Sequence, residues 1–95
     1  MRKLGKKRIL VLGRRDHTEA MRVAAGLTVA GHDIRLIFMT KAVEETAANE
    51  LQAELLDLSD IVPETTVPSM SHELNFLNAE KLAGAISNSD SVINV

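Results

Sequence analysis

The chain has 95 residues, 45% of them hydrophobic and 25% charged, with a formal net charge of −2. That size supports one domain around one core, and the composition is that of a soluble globular protein, not of a disordered chain. Without cysteine there are no disulfides and no thiolate metal sites, and the slight acidity excludes a surface built around nucleic-acid phosphates.

The basic residues are unevenly placed, with Arg2, Lys3, Lys6, Lys7, Arg8, Arg14 and Arg15 all near the start. Residues 1–7 read as a solvated, frayed tail. The apolar run behind it, Ile9 to Leu12, is too short for a secretory segment, and no run approaches membrane length. A cytoplasmic protein, neither secreted nor membrane-spanning, is the expectation.

Arg8 to Gly13, RILVLG, is a continuous apolar run ended by glycine, which suits a strand covered on both faces. Asp16 followed by Glu19 gives a capping-box pattern, and Ala20, Ala24, Leu27 and Ala30 recur at helical spacing. A helix is therefore expected from about His17 to a left-handed cap at Gly31, with Ala24, Ala25 and Gly26 allowing close approach to a sheet. Asp33 to Thr40, DIRLIFMT, reads as the second strand of a β-α-β unit, whose right-handed crossover puts the loop at Arg14–Thr18 at the carboxyl end of the sheet.

Lys41 to Leu58 reads as one amphipathic helix, its core face marked by Val43, Ala47, Leu51, Leu55 and Leu58 and its acidic side facing water. Pro63 and Pro68 weaken the signal beyond it, leaving a short edge strand at Ile61–Val62 or Thr65–Val67 and a loop or single turn over Ser71–Phe76. Asn78 is an expected N-cap for a helix carrying Leu82, Ala85 and Ile86, and Ser91 to Val95 is the last strand. The alternation predicts a single α/β domain of three α/β/α layers, with a small, mainly parallel sheet of four to five strands and a flavodoxin-like appearance.

The stretch KRILVLGRRDHTEAMRVAAGLTVAGHDIRLIFMTKAV, together with LAGAISNSDSVINV, resembles the DsrE/DsrF-like family of small sulfur-relay proteins. The resemblance implies a parallel α/β sheet and assembly, either as a homo-oligomer, dimer or trimer, or as a hetero-oligomer with related subunits. In active members it also implies a persulfide-carrying cysteine near the end of the third strand. The corresponding stretch here, Val67 to His72, reads VPSMSH, and Ser69, Met70 and Ser71 cannot form a persulfide. The expectation is an accessory protein that binds partners and has no sulfur chemistry of its own.

Ligands of open α/β sheets bind beyond the carboxyl strand ends, with anions favoured at helix N-termini. Gly13, Arg14, Arg15, Asp16, His17 and Thr18 are therefore the first candidates, the two arginines and the Thr18 hydroxyl offering donors to a phosphate, nucleotide or carboxylate. Asp16 opposes that use, and the alternative is a capped helix with solvated or interface arginines. His17 reads as an exposed loop histidine and His32 as a structural one beside the helix end. Thr40, Lys41, Ser69, Ser71 and His72, with Glu73, form a second polar group that the topology brings toward the same sheet edge. Three scattered histidines make no metal site, no catalytic set assembles, and neither a cofactor, a nucleic acid nor a membrane is called for.

Overall fold

The computed structural model describes residues 6–95. The elements in order are β1 (Arg8–Gly13), α1 (His17–Val29), β2 (Asp33–Phe38), α2 (Ala47–Leu58), β3 (Glu64–Thr65), β4 (Asn75–Phe76), α3 (Ala79–Ser87) and β5 (Ser91–Asn94), with a 3-10 turn at Pro68–Met70. The five strands form one all-parallel sheet in the order β4-β3-β2-β1-β5. The chain winds outward from β1 to β4, and α3 then carries it back across to β5 on the other side of β1. The winding direction therefore reverses between β1 and β5, which creates a crevice at their carboxyl ends.

The alternation of side chains along a strand divides the core in two. Ile9, Val11, Leu36 and Phe38 face α1 and α2, where they meet Ala20, Met21, Ala24, Leu56 and Ile61. Leu10, Leu12 and Ile37 face the opposite way, against Leu77, Leu82 and Ala85 on the α3 side. The apolar run of β1 is thus covered on both faces, and the three-layer expectation holds with two helices on one side and one on the other.

The first helix forms as its ends dictate. Asp16 is extended, and its carboxylate accepts from the Glu19 amide at 3.0 Å. The capping box is only half made, because the Glu19 carboxylate turns to Arg22 instead. At the other end Gly31 has φ +96°, the His32 amide reaches the Leu27 carbonyl at 3.2 Å and the Gly31 amide the Thr28 carbonyl at 3.0 Å, the two bonds of a Schellman motif. Of the three small residues expected against the sheet, Ala24 is buried but Gly26 is exposed.

Several sequence expectations are corrected. The second helix begins at Ala47, not Lys41, because Thr40 adopts φ +78° and breaks the chain direction, and the Thr46 hydroxyl caps the Asn49 amide at 3.1 Å. Its inward face carries Asn49 and Leu56, not the leucine row Leu51–Leu55–Leu58. The second strand stops at Phe38 and the last at Asn94. The third strand is only Glu64–Thr65, and Ser71–Phe76, expected as a loop or single turn, begins in a turn and ends in the two-residue β4. Residues 1–5 of the basic tail lie outside the described residues. Lys6 and Lys7 are not frayed: Lys6 lies 3.5 Å from the Asp33 carboxylate, and the Lys7 amide donates to His32 Nδ1 at 3.1 Å.

At the base of β1 the Arg8 amide donates to the Asp90 carboxylate at 2.9 Å, and the Arg8 guanidinium stands 3.6 Å away. These two contacts, the amide first, hold the Asp90 carboxyl below the ordinary aspartate range. A carboxyl lowered by folding stabilises above its unfolded pKa and loses that contribution as pH falls through the folded value. Asp90→Asn is therefore expected to flatten the acid limb of stability, below about pH 4, in chemical denaturation across pH; an unchanged limb would deny the contact any weight.

Candidate functional site

Gly13 ends β1 where α1 crosses closest. A Cβ there would lie 3.1 Å from the Ala20 Cβ and 3.3 Å from Phe38. Its smallness serves helix packing and not the approach of a ligand. Arg14 and Arg15, both exposed, follow it into the crevice at the winding reversal. Arg14, Arg15, Thr40, Asn94 and Val95 enclose about 540 Å³ there. Arg14 Nη1 donates to Asn94 Oδ1 at 3.4 Å, while the Arg15 and Asp16 amides both donate to the Val95 carbonyl at 3.2 Å. Thr40 on the rim has φ +78°, a conformation that a β-branched residue adopts only under constraint. The backbone donors an anion would use are largely occupied, so anion binding at this crevice falls to the two guanidinium groups.

A second, smaller hollow of about 220 Å³ lies between the starts of α1 and α2, lined by Arg15, Asp16, His17, Thr18, Lys41, Glu44, Thr46 and Asn49. Thr18 Oγ1 hydrogen-bonds Asn49 Oδ1, and Asn49 Nδ2 donates to the Glu44 carbonyl at 2.8 Å. Lys41 pairs with Glu44 at 3.7 Å. Of the hollow's two cations, Lys41 is thus ion-paired with Glu44, while Arg15 and Asp16 make no ion pair among the described residues; the Thr18–Asn49 contact ties α1 to α2.

His17 is not an exposed loop residue. It is the first residue of α1 and only 6% exposed. Its Nε2 donates to the Met39 carbonyl at 3.1 Å and its ring meets Phe38 edge-on at 5.2 Å. That bond needs a proton on Nε2, so the ring serves as a strut between α1 and the end of β2.

The secondary group divides. Thr40 and Lys41 join the two hollows just described, whereas Ser69, Ser71 and His72 are exposed on the β3–β4 connection and line neither. His72 Nε2 lies 3.4 Å from Glu73, both in solvent. The residue of this stretch that turns inward is Met70, whose sulfur lies 3.9 Å from Thr65 Oγ1. With Met21, Phe38, Leu56, Ile61 and Leu74 it lines an apolar cavity of about 320 Å³ under α2. Among the described residues no three His, Asp or Glu groups converge on a metal position, and no helix is long and apolar enough to cross a membrane.

The most unusual surface is α2. Leu51, Leu55 and Leu58 are 56%, 40% and 81% exposed, and Val62 just beyond the helix is equally bare. Residues at i, i+4 and i+7 stack along one line of a helix, so these leucines form a continuous outward row. Glu50, Glu54 and Asp57 have the same spacing one position earlier and run beside it.

No family model, curated protein or solved structure matches the chain. Its function therefore has to be read from these surfaces. Asn94 and Asn49 were missed as site residues in the sequence, since a lone asparagine carries no spacing signal. The acidic row was legible: AANELQAELLDL contains three acids and no base.

Proposed function

We propose that this chain is a DsrE-like accessory protein that works by docking onto a protein partner, in a sulfur-relay setting and without persulfide chemistry of its own. One observation carries the reading: three leucines in line on α2, with Val62, turned to solvent on a small domain. Such a contiguous apolar surface marks an interaction site far more often than scattered exposed residues do. The lack of cysteine supports a binding role over sulfur transfer.

The test is a photo-crosslinking residue placed at Leu51 in the native host. A discrete adduct is expected, lost when Leu58→Ser is added and absent when the probe replaces Arg22 on α1. A chain that stays uncrosslinked at Leu51 and sediments as a monomer sinks the reading. A second reading, a phosphate- or nucleotide-binding module, rests on the Arg14–Arg15–Thr40–Asn94 crevice. On that reading, phosphate or AMP is expected to raise the melting temperature of the wild type, and Arg14→Ala/Arg15→Ala to abolish the rise without altering crosslinking; no thermal shift in the wild type rejects it.

A further inference from the structure

Resting on the docking reading, we infer that the partner segment on α2 is a basic amphipathic helix of another protein, with an apolar row seated on Leu51–Leu55–Leu58 and a row of Lys or Arg beside it facing Glu50–Glu54–Asp57. The argument is one of unmatched charge. Among the described residues, Asp33, Asp90, Glu19, Glu64, Glu44 and Glu73 each stand within ion-pair distance of a basic or histidine side chain. None of Glu50, Glu54 and Asp57 does; Asp16, Glu45, Asp60 and Glu80 are also unpaired there, but only the α2 three share one helical row, and α2 itself contains no cation. A row of like carboxylates at i, i+4 and i+7 is mildly destabilising in an isolated helix. Here it lies directly along the only apolar row that α2 exposes.

The same pattern argues against a second copy. Two α2 helices packed antiparallel on their leucine rows bring acidic flank against acidic flank. Packed in parallel, each acidic flank meets the side of Ala48 and Gln52, which offers no positive charge. A partner bearing cations on one side of its apolar stripe satisfies both rows at once, and steers the encounter electrostatically. The helix spans 12 residues, about 18 Å, so two to three turns of partner are held. One helix face is well short of the ~800 Å² per partner of a stable complex. Binding through it alone is weak and salt-sensitive.

The probes are two capped synthetic helices of about four turns, identical in an i, i+4, i+7 leucine row but carrying either lysine or glutamate in the neighbouring row, titrated against the whole chain by fluorescence anisotropy. The lysine peptide is expected to bind about tenfold tighter than the glutamate peptide, to weaken as salt is raised, and to be lost with Leu51→Ser/Leu58→Ser. Glu50→Lys/Glu54→Lys is expected to reverse the preference. Lysine-peptide binding that survives Leu51→Ser/Leu58→Ser would be non-specific attraction to an acidic surface and overturns the inference. Equal binding of both peptides, or a crosslinked adduct of twice the chain's mass, also overturns it while leaving the docking reading intact. No peptide binding together with no crosslink removes both.

Discussion

Leu56→Ala is expected to destabilise the protein by about 2–5 kcal/mol, and Leu58→Ala, two residues along the same helix, by less than about 0.5 kcal/mol. Leu56 is 2% exposed and packs with the α1 residues and with Phe38 and Ile61; Leu58 is 81% exposed. Truncating the first removes transferred apolar surface and leaves a cavity beside one the fold already has, whereas truncating the second only shortens a side chain in water. For a domain whose whole stability is about 5–15 kcal/mol, the larger loss is a substantial share, and it lowers the melting temperature by more than about 8 °C. Urea denaturation of both variants with unchanged m-values is the measurement. Equal losses, or a larger one for Leu58, would return the leucine row to the core. The docking surface and the partner argued from it would go with it.

That contrast also locates where sequence reasoning succeeded and where it did not. The element order of the β-α-β start was legible, because its signals are local: Asp16 caps, Gly31 terminates, and a run of apolar residues ended by Gly13 needs cover on both faces. The orientation of α2 was not. Its sequence carries two helical rows that compete for the sheet, one of three leucines and one that buries Asn49 and Leu56, with the exposed Ala53 between them at the rim of the apolar cavity. The leucine row wins any count of apolar residues. What turns the other row inward is tertiary: the Asn49 side chain finds Thr18 on α1 and the Glu44 carbonyl, so a polar residue is buried with its bonds made. The same holds for His17, which sequence adjacency to Asp16 and two arginines marks as a solvent residue until the Met39 carbonyl appears beside it. β3 was legible only as one of two alternative short strands, overlapping the observed one at Thr65, and β4 was hidden, because two residues among prolines and polar residues carry no periodicity. At the Arg14–Thr18 loop the sequence grouped residues that the fold divides between two hollows and the core, and it did not show that division, in which the Arg15 and Asp16 amides are consumed by Val95 and packing claims Gly13 and His17.

Gly13→Val is expected to destabilise by about 1–3 kcal/mol or somewhat more, and Gly13→Ala by less. No positive φ is involved at this position, so the cost is steric, unlike that of a substitution at Gly31. A single Cβ already falls 3.1 Å from Ala20 and 3.3 Å from Phe38, inside ordinary contact on both sides. Relief requires α1 to lift from the sheet, which strains the His17 bond to Met39 and displaces the capped helix start that forms one wall of the smaller polar hollow. The diagnostic experiment is a double-mutant cycle with Ala20→Gly. That change alone costs about 1 kcal/mol of helix propensity, yet in the presence of Gly13→Ala it also removes the opposing methyl. The two substitutions are therefore expected to be less damaging together than the sum of each alone, by roughly 0.5 kcal/mol or more. Strict additivity would mean that Gly13 is required for something other than the approach of α1, and a ligand-facing role for this glycine would then regain its claim.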